Sequence, residues 1–310
     1  MYIFAAIIAI MTLIILISYI TFRITFLSVR KKHSSLYHGL EGDLSEMKRK
    51  RRDMIERIAK IPYEDVTIES YDGLRLRARY YHVREGAPIA IQLHGYKSTS
   101  VRDFSGGAYE CIKMGHNLLL VDQRAHGESG GHVITFGIKE RFDCKAWTEY
   151  AVKRFGNNSK IILYGISMGA ATALMASELD LPENVVGIVA DCPYSSPSAI
   201  IKKVCRDRHL PPIVFYPFIK IGARLFGGFS LDSSSAVSAV KNTDIPILLI
   251  HGGGDNFVPS SMSDEIHSSN PKITYLKVPD AKHGLSFLYD YKAYMKALQN
   301  FYKTILPMED

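Results

Sequence analysis

Metal-binding and nucleotide-binding signatures are missing from this 310-residue chain. Its four cysteines, Cys111, Cys144, Cys192 and Cys205, are scattered, with no C-x-x-C pair and no ligand spacing. That excludes a zinc-finger or dithiol redox signature and leaves free, mostly buried thiols as the expected state. No G-x-x-x-x-G-K occurs, and no G-x-G-x-x-G follows the first strand signal, so the Gly-rich phosphate cradles are excluded. There is no internal repeat at a period of about 20–50 residues, which excludes solenoids and propellers. A composition of 47% hydrophobic and 22% charged residues excludes collagen-like, low-complexity and fully disordered chains. Finally, residues 1–22 contain no Asp, Glu, Lys or Arg.

That last absence carries a prediction. A helix of 22 residues spans roughly 33 Å, against a hydrocarbon core of about 30 Å. No basic residue precedes the run and no A-x-A-like site follows it, unlike a cleaved secretory signal. Residues 1–29 are therefore expected to be a transmembrane anchor, its partner being membrane lipid. The nearby bases, Arg23, Arg30, Lys31 and Lys32, lie after the span, which places the body on the cytoplasmic side of the cell membrane as a single-pass protein.

Charge is unevenly spread. Residues 1–60 hold 11 Lys or Arg and 5 acids, while the other 250 residues are close to neutral. The basic balance thus belongs to the N-terminal segment, and a nucleic-acid-binding fold is not expected. Residues 30–61 read as a basic juxtamembrane linker. Within it residues 43–61 have helical spacing, with Asp43 and Glu46 as a capping box and Leu44, Met47, Met54, Ile55 and Ile58 as the apolar set. An interfacial helix on anionic lipid and a solvated linker helix both fit that pattern.

From residue 62 to 310 strand and helix signals alternate. Strands are expected over residues 66–68, 74–81, 89–93, 117–121, 161–164, 185–190, 245–250 and 273–278. Helices are expected over 106–114, 139–154, 170–179 and 286–305. Short apolar runs alternating with helices predict an α/β class, a mostly parallel sheet with helices on both faces. About residues 193–240 break the alternation with five prolines and a run of aromatics. They read as an inserted helical cap. Its Ile213, Val214, Phe215, Tyr216, Phe218, Leu225, Phe226 and Phe229 are expected near the strand ends.

Gly165-Ile166-Ser167-Met168-Gly169 matches G-x-S-x-G, with a strand before it and a helix after. The glycines allow a tight turn that lifts the serine hydroxyl clear of the sheet. A serine needs a base, and the base needs an orienting carboxylate. His283 follows the last strand and Asp255 the one before it, in the order Ser, Asp, His. Both loops lie at carboxyl strand ends. His283 is the expected base and Asp255 the expected orienter. Asp191 is a rival acid, and His251 and His126 are rival bases. The oxyanion donors are expected to be the backbone N–H groups of Met168 and Tyr96. Tyr96, Tyr194 and Phe257 are expected to line an apolar substrate pocket, along with Met168.

With these residues in view, the chain resembles the α/β-hydrolase superfamily, and within it a bacterial membrane-anchored branch that is serine-aminopeptidase-like and esterase-like. The matching pieces are Tyr71-Asp-Gly-Leu-Arg-Leu76, Leu93-His-Gly-Tyr96, Asp122-Gln-Arg-Ala-His-Gly-Glu-Ser129, Tyr164-Gly-Ile-Ser-Met-Gly169, Asp191-Cys-Pro-Tyr194, His251-Gly-Gly-Gly-Asp255 and Lys282-His-Gly284. They cover about residues 62–305. One departure is Ala125, standing where the family's D-x-R-G-x-G pattern has glycine. The resemblance implies an α/β-hydrolase fold and hydrolysis of an ester, thioester or amide without cofactor or metal. The expected substrate is a small-molecule acyl ester. A peptidase or amidase, an acyltransferase and a non-catalytic hydrolase-fold binder are the alternatives. No catalytic motif lies before Tyr71, so removal of residues 1–30 is expected to leave a soluble, active body.

Overall fold

A computed structural model describes residues 1–28 and 46–306. Residue 29, the linker residues 30–45, with Asp43 and Leu44, and the last four residues lie outside the described part. Eight strands form one sheet: β1 (Glu64–Glu69), β2 (Arg75–Tyr81), β3 (Ile89–Leu93), β4 (Asn117–Asp122), β5 (Ile161–Ile166), β6 (Val185–Asp191), β7 (Ile247–Gly252) and β8 (Thr274–Val278). Their order across the sheet is β1-β2-β4-β3-β5-β6-β7-β8. β1 and β2 form an antiparallel hairpin, and β2 is also antiparallel to β4. All pairs from β4 to β8 are parallel.

The central strands are near-continuous apolar runs because both faces are covered. Every residue of β3, β4 and β7 is buried. One face packs under α4 (Glu140–Phe155) and α5 (Met168–Ala176), with Trp147 fully buried. The other packs under α3 (Ser100–Lys113) and α11 (Tyr291–Ile305). The expected final helix over 286–305 is two: α10 (Ser286–Tyr289) and α11, divided at Asp290, whose Oδ1 accepts the Ala293 N–H and caps α11.

The basic segment differs from both expectations for it. Helix α2 (Glu46–Ala59) is docked on α3, with Ile55 and Ile58 fully buried in the second core layer. Arg51 reaches the carboxylate of Asp103 on α3. It is a body helix with one charged face.

The long insertion after β6 folds as α6 (Pro197–Asp207) and α7 (Pro212–Gly227). Its last part does not cap the sheet: α8 (Ala236–Ala239) returns to the body, with Ala236 and Val240 in the main core. α9 (Ser261–Ser269) fills the connection between β7 and β8.

Helix α1 (Tyr2–Phe26) is long and apolar enough to cross a membrane, and most of its side chains are exposed among the described residues. Its last two turns are different. Ser18, Phe22 and Phe26 are buried against α7, and Phe26 packs edge-on to Phe136 and Phe229. The chain then joins the body by backbone bonds, Ile134 N–H to the Phe26 carbonyl and Ser28 N–H to the His132 carbonyl. Gly222 makes the helix crossing possible, since a Cβ there would lie 2.4 Å from the Ser18 carbonyl oxygen. Removal of residues 1–30, expected to leave a soluble, active body, would also take Phe22 and Phe26 out of this core. Spacing could not reveal it, because an unbroken apolar run does not mark which of its turns faces protein.

Phe26→Ala should therefore destabilise the body by about 3–5 kcal/mol, the range for a truncated core phenylalanine. Urea unfolding in detergent micelles, followed by the fluorescence of the sole tryptophan, Trp147, reads it. An unchanged midpoint would place the end of α1 outside the core.

Candidate active site

Ser167 sits between β5 and α5 with φ 55° and ψ −113°, a conformation L-residues avoid. The turn exists because the neighbouring chain comes very close. A Cβ on Gly165 would lie 2.3 Å from the Ala170 nitrogen, and one on Gly169 would lie 1.8 Å from the Leu93 carbonyl oxygen. The Ser167 N–H is held by the Asp191 carbonyl at 2.8 Å.

The structure brings the three predicted loops together. His283 Nε2 is 3.0 Å from Ser167 Oγ, and His283 Nδ1 is 2.7 Å from Asp255 Oδ2. Asp255 Oδ1 accepts the N–H groups of Phe257 and Val258, both at 2.9 Å. Burial opposes the charge on Asp255, but hydrogen bonds from His251, His283 and the Val258 N–H outweigh it and hold the carboxyl well below the usual range. It is ionised at any pH near neutrality.

The rivals fall elsewhere. His251 is fully buried, with Nδ1 on Ser263 Oγ and Nε2 on the Val258 carbonyl and, at 3.3 Å, Asp255 Oδ2. It fixes the acid loop and does not reach the serine. Asp191 has its carboxyl pushed up to about 6 by burial, and its side chain meets Ser286 Oγ at 3.5 Å. His126 Nε2 accepts the Lys97 N–H at 3.0 Å, which orders the loop after β3.

That loop is tied down at several points. His94 Nε2 accepts the Gln123 N–H, so its Nδ1 carries the proton and donates to the Gly95 carbonyl. Gly95 N–H goes to Asp103 Oδ2, and a Cβ on Gly95 would lie 3.5 Å from that of Ser167. Neither Tyr96 N–H nor Met168 N–H is given to an acceptor among the described residues. The positioning roles of His94, His126 and Asp103 were not foreseen. His94 lies in the quoted Leu93-His-Gly-Tyr motif, but only the tertiary structure supplies its partners. Ala125, at φ 63° and fully buried, takes the left-handed backbone its expected glycine would take freely.

Ser167 opens into a cavity of about 430 Å³. Tyr96, Tyr194 and Phe257 all line it, whereas Met168 is buried in the core beneath. Tyr96 stacks on Phe136, and Phe257 lies edge-on to the His283 ring at 5.0 Å. The Tyr194 hydroxyl is buried with no partner among the described residues. Of the cap residues expected here, Phe215 lines the cavity; Tyr216 and Phe229 are packed in the cap core. Ile213, Val214 and Leu225 face outward instead, and Phe226 packs against Tyr19 and Phe22 of α1. Two turns of α1 contribute Thr21, Ile24 and Thr25 to the wall, which nothing in the sequence pattern indicated.

Among the described residues one cluster, Cys192, Asp255 and His283, brings metal-donor atoms within 4.8 Å of one another. Burial pushes the Cys192 thiol up, so it holds its proton, and the Asp255 oxygens are already taken by His283 and two backbone N–H groups. This donor set is built as a hydrogen-bond chain and fits a cation poorly.

A strained serine turn, this sheet order and an inserted cap define a hydrolase fold. The family model described as "Serine aminopeptidase, S33" matches residues 87–214. An esterase of Pyrococcus furiosus superposes with a TM-score of 0.64 at 26% identity, over 82% of this chain and 94% of that one. An uncharacterized protein of Bacillus subtilis is 25% identical over 193 residues, 61% of this chain; the match spans 63% of the relative's own length. A thiohydrolase of Aspergillus aculeatus is 27% identical over 158 residues, 49% of this chain and 46% of that one. The chain belongs to the α/β-hydrolase superfamily.

Proposed function

We propose that the protein is a serine carboxylester hydrolase acting on apolar short-to-medium acyl esters or thioesters. The observation that carries this reading is the chain from Ser167 Oγ through His283 to Asp255, at 3.0 and 2.7 Å, opening on an apolar cavity. His283 Nε2 takes the Ser167 proton as Oγ attacks the acyl carbonyl, and ionised Asp255 stabilises the imidazolium that forms. The oxyanion meets the N–H groups of Tyr96 and Met168. His283 then returns the proton to the leaving alcohol or thiol, and water repeats the sequence to release the acid. No metal or cofactor takes part.

The P. furiosus esterase and the A. aculeatus thiohydrolase support the ester or thioester bond as the target. The family model's name keeps a peptidase in view. Against it, no Asp or Glu among the described residues lines the cavity to hold a peptide amino terminus. Activity in membranes or micelles should fall on the order of 10⁴–10⁶-fold in Ser167→Ala and His283→Ala. Asp255→Asn should lose roughly 10³–10⁴-fold, and Asp191→Asn less than about tenfold. A larger loss from Asp191→Asn than from Asp255→Asn would reassign the acid. Turnover of amino-acid amides in preference to nitrophenyl esters would favour the peptidase.

The same reading makes α1 a single-pass anchor in the cell membrane, with the body in the cytoplasm. The bases that follow the span and four free, buried cysteines support it. Protease added outside intact cells should leave the body uncut, and digestion there would reverse the orientation.

A further inference from the structure

We propose that the last turns of α1 are a wall of the acyl pocket, and that the acyl chain enters sideways from a lipid leaflet past Ile24, on the outer side of α1. The substrate class is then a membrane-resident acyl ester. This rests on the reading of Ser167 as the acylating nucleophile.

Three observations carry it. First, the pocket is built partly from the anchor. Thr21, Ile24 and Thr25 share the cavity with Ser167, and the Tyr96 hydroxyl donates to the Thr25 carbonyl at 2.8 Å. The residue proposed above to give its backbone N–H to the oxyanion is thus bonded through its side chain to α1. Ile24 is 69% exposed, so this wall is also an outer surface of the molecule.

Second, α7 continues the apolar surface of α1. Val214, Phe218, Ile221 and Leu225 recur at helical spacing along it. Ile213 is 87% and Leu225 61% exposed, and Phe226, half-exposed, touches Tyr19 of α1 edge-on at 5.1 Å. A patch continuous with a span of this length has one occupant that removes it from water, the leaflet that α1 crosses.

Third, the charge around that patch suits anionic lipid. Residues 197–232 hold six bases and two acids; Asp207 pairs with Lys203 and Asp232 with Lys220, which leaves Lys202, Arg206, Arg208 and Arg224 as the excess, although the body is near neutral. Lys97 and Arg208 stand at the cavity itself, with stems long enough to carry their charge to the phosphate level. A bilayer seated there places its acyl chains at Ile24 and Phe215 and its head groups at these cations.

The test compares acetyl and octanoyl nitrophenyl esters using the full chain in vesicles of phosphatidylcholine and phosphatidylglycerol. Ile24→Trp and Thr21→Phe fill the wall from its exposed and inner sides. Each should lower the octanoyl-to-acetyl ratio of kcat/KM roughly tenfold, the effect of losing about two methylene contacts. In a second arm, Leu225→Trp is placed in vesicles with brominated acyl chains. Its added emission should be quenched, while that of the wild-type chain, from buried Trp147, is unchanged. A ratio unmoved in both pocket variants would overturn the wall, and unquenched emission would overturn entry from the leaflet. Acetyl-ester turnover that survives Ser167→Ala would instead sink the nucleophile reading, and the proposal with it.

Discussion

One backbone conformation organises this molecule. Ser167 is held at φ 55° between a strand and a helix, and that geometry is tolerable only because the surrounding chain leaves no other. Gly165 lets the start of α5 fold back over β5, and Gly169 lets α5 press on the Leu93 carbonyl of the neighbouring strand. β5 lies in the middle of the sheet, with β3 on one side and β6 on the other. The loops after β3, β7 and β8 therefore converge on the serine from both sides, carrying Tyr96, Asp255 and His283. The Asp255–His283 hydrogen bond, the loop after β3 and the cavity all take their positions from that turn.

A second constraint is the junction of α1 with the body. Phe22 and Phe26 close the cap core, and Gly222 allows α1 and α7 to touch backbone to backbone. The same contact sets one wall of the cavity. Stability and pocket shape are consequently not separable here, since one pair of helical turns supplies both. The loop after β3 shows the same economy on the other side of the serine. His94 and His126 spend both ring nitrogens on backbone groups, so two histidines near the site act as braces.

Much of this was legible in the sequence, for identifiable reasons. Buried parallel strands are short apolar runs, and β3, β4, β5 and β7 stand out as such. The serine turn has a fixed glycine pattern, and the Ser, Asp, His order follows the strands. What stayed hidden depends on tertiary contact. Ile55 and Ile58 have helical spacing whether they face a membrane, solvent or α3. Residues 2–22 carry no charge on any side, so their sequence does not distinguish the exposed turns from those that meet α7. Asp290 breaks the last helix by capping α11, which the apolar spacing of residues 286–305 runs straight across. His251, a rival base on paper, is a partner of the acid because Val258 and Ser263 fix its ring.

The central claim is that Ser167, activated by His283, is the acylating nucleophile. A fluorophosphonate probe reacted with the full-length protein, followed by peptide mass spectrometry, tests it most directly. The account predicts a single adduct on the peptide bearing Ser167, lost in His283→Ala, whose serine is intact but has no base. An adduct on another serine, or undiminished labelling of Ser167 without His283, would contradict it.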